Sequence, residues 1–294
     1  MSTFMKVSHY YAYFPGWPGK KGGKWQNGGK KVNFETLQQT LDCGQCFRWE
    51  HRPDGSWEGV AGGRFLRLTK ENFPRLPGDP FWSRYFDLGT DYDEIRKGFC
   101  RLDPVLADAV HFAPDIRILN QDPWEALCSF LLSQCNNIRR IRGIIRRLCT
   151  AFGKPARGGG RAFPSPKALA EADERDLRAL GCGFRAPYVQ NAAREVASGA
   201  LDFSSLRRLP LSEARARLTD LRGVGPKVAD CTLLYGLHRL DAFPADVWIK
   251  RAMSTLFPGK RSEWFGPYAG VAQQALFYYS RSHPEIFRKK NNAR

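Results

Sequence analysis

Apolar and polar positions follow two different rhythms along the chain. From Phe34 to about Gly63 they alternate with a period of two, as in "QCFRWEH" (45–51) and "SWEGVAG" (56–62), with Pro53-Asp54-Gly55 between them as a turn signal. "RFLRLTK" (64–70) continues the alternation, so the first third predicts an antiparallel sheet. From about residue 91 the spacing becomes three and four. "DYDEIRKGFCRL", "DPWEALCSFLLSQ", "NIRRIRGIIRRLCTAF", "SPKALAEADERDLRAL", "APYVQNAAREVASG" and "SEARARLTDL" each read as an amphipathic helix with Asp, Ser or Pro near its start. The expected fold is α+β, with a basic arm at 1–33, an antiparallel sheet domain with flanking helices at 34–112 and a larger all-helical domain at 113–294. Within the last, "KPARGGGRAFPSP" (154–166) reads as a mobile insert between two helices. No repeat recurs at a fixed period.

Charge narrows the partner. Forty-six Lys and Arg against 29 Asp and Glu leave +17, which calls for a polyanion, nucleic acid first. No window approaches 18 consecutive apolar residues and the N-terminus carries no apolar signal region, so an intracellular protein is expected rather than a membrane or secreted one, cytoplasmic and nucleoid-associated if the source is bacterial. Cys43 and Cys46 form a single CxxC. The other six cysteines and five histidines supply no second ligand pair, so neither zinc nor a redox function is expected.

The densest chemistry lies in "LRGVGPKVADCTLLYGLHRLDAFPADVWIK" (221–250). If "LSEARARLTDL" and "KVADCTLLYGLH" are helices, "RGVGP" is the turn between them. Gly223 and Gly225 there permit positive φ and let backbone N–H groups approach an anion closely. A DNA phosphate suits that helix-hairpin-helix. Lys227 starts the second helix, where the dipole disfavours a charged amine. It reads equally as a phosphate contact or, when neutral, as a nucleophile. Asp246 precedes the helix "VWIKRAMSTLF"; it is an N-cap, and an ionised cap carboxylate can also face positive charge developing on a sugar.

Gly-Val-Gly, Lys227 and an aspartate 19 residues later resemble the helix-hairpin-helix DNA glycosylases of the lysine-dependent branch. With "LDCGQCFRW" (41–49), "SQCNNIRRI" (133–141), "LGCGFRAPYV" (180–189) and "GPYAGVAQQALF" (266–277), the chain is similar to the 8-oxoguanine DNA glycosylases, of bacterial type, over about residues 34–280. The resemblance implies a bifunctional glycosylase/AP lyase acting as a monomer on duplex DNA that contains 8-oxoguanine, flipping the base into a pocket. It implies Lys227 as Schiff-base nucleophile followed by β-elimination, with Asp246 stabilising the cationic sugar. The Gly44 carbonyl would read the lesion's N7–H, Gln273 and Phe277 would hold the flipped base, and Cys231 would cover its other face. Asn137, Arg140 and Arg185, with Phe184 beside them, would engage the orphaned cytosine. No cysteine follows Cys231, so no iron–sulfur cluster is implied, leaving at most a monovalent cation at the hairpin. Three positions depart from the vertebrate-type motif: Cys135 for Asn, Phe184 for Tyr, and Trp248 for His.

Two rivals remain at this point. An alkylated-base glycosylase of the same fold would use the aspartate without a catalytic lysine. A non-catalytic DNA-binding module accounts for the charge and the hairpin but not for the Lys/Asp pair.

Overall fold

The computed structural model describes residues 33–287, so the basic arm expected at 1–33 lies, except for Asn33, outside the described residues. Three antiparallel strands in the order β1-β2-β3 form the sheet: β1 Trp49–His51, β2 Trp57–Ala61 and β3 Arg64–Leu68. The Pro53-Asp54-Gly55 turn joins β1 to β2 as expected, with Gly55 at φ +82° and Arg52 N donating to Ser56 O. Gly59 stands opposite Trp49, and a Cβ there would lie 2.4 Å from the indole. Trp49 thus lies flat under β2, within a core of Trp57, Trp82, Tyr85, Phe86 and Leu119. The period-two reading ran too far upstream. Residues 34–47 form helical turns and loop, including α1 Gln38–Leu41, because the side chains of Gln39, Thr40 and Gln45 satisfy backbone groups of Asp115 and Thr40 in place of a ladder.

The helices are α2 Pro80–Tyr85, α3 Tyr92–Leu102, α4 Pro104–Phe112, α5 Pro123–Leu132, α6 Ile138–Phe152, α7 Pro166–Glu171, α8 Glu174–Leu177, α9 Ala186–Ala197, α10 Phe203–Arg208, α11 Leu211–Thr219, α12 Pro226–Cys231, α13 Val247–Leu256 and α14 Ala269–Ser282. Their starts are written locally. Asp79, Asp103, Asp122 and Ser165 accept from N–H groups of the helices they precede, and each is followed by a proline whose fixed φ suits the first turn. Helix α5 is buried along its length and forms the axis of the second core. Helices α3 and α4 belong to that core, α4 packing on α14, while Phe47 joins it from the sheet segment and Leu119 joins the sheet core, so the two cores interleave along the chain.

The 154–166 loop is not a free insert. Arg157 bridges to Arg64 at the start of β3, Phe65 N donates to Arg157 O at 2.9 Å, and Arg157 N donates to Gly63 O at 2.8 Å. The loop covers the β3 edge, whose unpaired backbone groups would otherwise face water. Among the described residues no helix is long and apolar enough to cross a membrane.

Candidate active site

Helices α11 and α12 meet at the expected hairpin turn. Gly223 has φ +84°, and a Cβ on it would lie 2.3 Å from the Tyr188 ring, so both its conformation and its surroundings require glycine. Gly225 does not share this need. It caps α12 in extended backbone, with φ −92°, and a Cβ there would meet nothing within 4 Å. The expectation of positive φ at both glycines is corrected to Gly223 alone.

Lys227, half-buried in the first turn of α12, donates from Nζ to Ser133 Oγ at 3.1 Å and lies 4.9 Å from the centre of the Phe130 ring. Its neighbours are a neutral hydroxyl and an aromatic face, not a carboxylate. One turn on, burial pushes the Cys231 thiol up to about 12, partly offset by the Lys227 charge, so Cys231 is a neutral apolar wall. Asp246 caps α13 by accepting from Ile249 N at 2.9 Å. Its charge acts on Cys231 and on Tyr235, although no ion pair joins it to Lys227 among the described residues. Lys227 and Asp246 thus both act on Cys231.

The predicted lesion contacts converge on the same place. Phe130 stacks on Tyr235 at 5.3 Å, and the Tyr235 hydroxyl donates to Gln273 Oε1 at 3.5 Å and to Gln274 Oε1. Gln274 Nε2 in turn donates to Cys43 O at 3.5 Å, and a Cβ on Gly44, at φ +90°, would lie 3.8 Å from Phe277. Gly44, Gln273, Phe277, Cys231 and Lys227 are thus joined by one continuous set of contacts. Cys43 and Cys46 are buried thiols, burial pushing Cys43 up to about 11, and both donate to carbonyls of the 40–41 turn.

The opposite-strand candidates form a second cluster beside the hairpin. Asn137 caps α6 by accepting from Arg140 N at 2.9 Å, and both side chains are exposed. Phe184 is exposed and meets Tyr188 edge-on at 6.3 Å. Arg185 differs from expectation. It is 3% exposed, and its guanidinium donates to Gln134 O, to Cys135 O at 3.0 Å and to Cys182 O at 3.4 Å, with Phe184 stacked 4.3 Å away. Burial, then the nearby Arg140 charge, lowers its hold on the proton. Arg185 fastens the 133–137 loop instead of presenting its donors to solvent. Cys135 is exposed at φ +46°, and Trp248 is half-buried near Phe287.

Sequence reasoning did not single out Phe130, Ser133, Gln134, Tyr188, Tyr235 or Gln274. Ser133 and Gln134 open the quoted "SQCNNIRRI" motif, and Gln134 Nε2 donates to Gly223 O at 3.0 Å, tying the loop to the hairpin. Tyr188 and Gln274 also lie within quoted motifs, at 180–189 and 266–277, while Phe130 and Tyr235 carry helical-face signals indistinguishable from core.

A helix-hairpin-helix bearing a lysine, with an aspartate capping a later helix, defines a DNA base-excision glycosylase. In agreement, residues 128–263 match the HhH-GPD superfamily base excision DNA repair proteins, and residues 30–127 match the 8-oxoguanine DNA glycosylase N-terminal domain. A probable N-glycosylase/DNA lyase of Methanothermobacter thermautotrophicus is 35% identical over 199 residues, 55% of this chain and 62% of its own length. The N-glycosylase/DNA lyase OGG1 of Arabidopsis thaliana is 31% identical over 284 residues, 82% of this chain and 76% of its own. The structure of the Clostridium acetobutylicum 8-oxoguanine glycosylase/lyase, in complex with double-stranded DNA containing cytosine opposite 8-oxoguanine, superposes with TM-score 0.75. It is 35% identical and covers 84% of this chain and 92% of that one. The chain belongs to the 8-oxoguanine DNA glycosylase family.

Proposed function

We propose that this chain excises 8-oxoguanine from duplex DNA by attack of the Lys227 amine on C1′ of the flipped nucleotide, and then nicks the strand. The placement of Lys227 carries the reading: its amine is half-buried in the first turn of α12, donates to Ser133 Oγ and lies over the Phe130 ring, with no ion pair to a carboxylate among the described residues. Attack forms the C1′–N bond as the C1′–N9 bond breaks, and the electron pair leaves with the base, which takes up a proton. Loss of a proton from Nζ and opening of the sugar ring at O4′ give the imine. Loss of a C2′ proton then expels the 3′ phosphate.

Asp246 is the group suited to stabilise positive charge on the sugar in the transition state, because its cap bond to Ile249 N fixes the carboxylate. The Gly44 carbonyl accepts from the lesion's N7–H and meets a lone pair in normal guanine, while Phe277 and Cys231 enclose the base and Gln273 bonds it. The Clostridium complex supports cytosine as the opposite base, read by Asn137, Arg140 and Arg185. Arg185 must first release Gln134 and Cys135. The reading includes a monomer at the bacterial nucleoid, needing no cofactor beyond a monovalent cation at the hairpin.

Borohydride trapping on an 8-oxoguanine:C duplex tests it. Wild type gives a covalent adduct, and Lys227→Gln gives none while binding the lesion duplex within about tenfold, or about 1.4 kcal/mol, of wild type. An adduct with Lys227→Gln assigns the nucleophile elsewhere. No adduct with wild type favours the lysine-independent rival.

A further inference from the structure

The segment that carries the lesion-reading carbonyl is gripped from two sides. From α14, Gln274 Nε2 donates to Cys43 O. From α6, Arg142 Nη2 donates to Asp42 Oδ1 at 2.7 Å, and Ile138 Cδ1 lies 3.4 Å from where a Gly44 Cβ would be. Ile138 and Arg142 stand one turn apart on the same face of the helix whose N-cap and first turn hold Asn137 and Arg140. The Arg142 Nε is buried without a hydrogen-bond partner, so the side chain forfeits solvation to lie against this loop. A solvated surface arginine has no reason to accept that cost. The pair's charged ends remain open to solvent, so it adds little to global stability.

We propose that the Arg142–Asp42 pair is a positioning clamp for lesion recognition. It fixes the Asp42–Gly44 segment to α6, and thereby sets the Gly44 carbonyl in register with the opposite-strand residues at the same helix's start. Neither Arg142 nor Asp42 touches the base. The clamp rests on the reading of Gly44 as the lesion-contacting residue. Because it acts on base recognition, it matters for excision of 8-oxoguanine and not for elimination at an abasic site, where no base is read.

The test compares single-turnover rates on an 8-oxoguanine:C duplex and on an otherwise identical abasic duplex, using the full chain. Arg142→Ala should slow excision about three- to tenfold, with abasic-site cleavage within about twofold of wild type. The exchanged pair, Asp42→Arg with Arg142→Asp, should recover most of the excision rate. Equal slowing on both substrates, no slowing on either, or no recovery by the exchange overturns the clamp. Gly44→Ala, strained at φ +90°, separates the two ideas. If it abolishes excision while Arg142→Ala does nothing, the Gly44 reading stands and the clamp falls. If Gly44→Ala excises normally, the Gly44 reading itself falls.

Discussion

Gly223→Ala tests how the hairpin is held. The substitution asks alanine to occupy φ +84°, and left-handed backbone costs a non-glycine residue about 1–2 kcal/mol. Its Cβ would also sit 2.3, 2.5 and 2.8 Å from three carbons of the Tyr188 ring, far inside contact distance. Overpacking of that kind costs about 1–3 kcal/mol. Together these amount to about 2–5 kcal/mol, or a melting temperature about 5–15 °C lower for a chain of this size. The displacement does not stay local. Tyr188 contacts Phe184, and Gly223 O holds Gln134 of the loop that Arg185 fastens. DNA affinity should fall at least about tenfold, the equivalent of one charge-assisted hydrogen bond to a phosphate. Melting and lesion-duplex binding are measured for Gly223→Ala, Tyr188→Ala and the double variant. In the Tyr188→Ala background the overlap is gone and only the backbone part remains, so the two changes should couple by about 1–3 kcal/mol. A stable, tightly binding Gly223→Ala, or simple additivity in the cycle, refutes the argument that Tyr188 buttresses the turn.

Three other outcomes follow from the site. Asp246→Asn keeps an oxygen to cap α13, so stability should fall by less than about 1 kcal/mol while base excision slows about a hundredfold; full activity would leave Asp246 a cap only. Asp230, buried against Arg215 at 2.7 Å, has its pKa raised by burial to about 6, so the folded state binds its proton more tightly than the unfolded one. That contribution is fully present below pH 3.8 and lost as pH rises through about 6; Asp230→Asn should flatten the melting temperature over this window, and an unchanged pH profile would contradict the assignment. Cys135→Asn with Phe184→Tyr should raise the preference for cytosine over T, G and A opposite the lesion about five- to a hundredfold in single-turnover excision, each directed hydrogen bond contributing roughly 0.5–1.5 kcal/mol. A double variant no more selective than wild type would show that these two positions do not govern the opposite base.

The parts of the molecule legible in the sequence are those fixed within one turn of chain. Asp122 caps α5 through Glu125 N and Asn137 caps α6 through Arg140 N, each three residues on, so residue type and spacing suffice to place the helices. The hairpin glycine, Lys227 and Asp246 belong to the same kind of short signal, and the ordered motifs brought the base-contact residues with them. Where the sequence misled, an alternative partner lay far off. The GGG loop looked free because nothing local orders it, yet it borrows its backbone bonds from Gly63 and Phe65 of the sheet. Residues 34–47 alternate like a strand, but Gln45 satisfies Thr40 O, Arg117 O and Leu119 N and removes the need for a ladder.

What the sequence by itself determined was the fold class, the family and the placement of Lys227 and Asp246 at two helix starts. Tertiary structure decided what surrounds them. Ser133 meets Lys227 across 94 positions, and Gln274 meets Cys43 across 231. It also decided that of the two hairpin glycines only Gly223 has positive φ, and only there would a Cβ meet the Tyr188 ring. Arg185 reads as an exposed recognition residue until the fold supplies three carbonyls to bury it. Helix starts depend on bonds between near neighbours, which a linear pattern records; desolvation, overlap and carbonyl capture depend on distance in space, which only the packed chain defines.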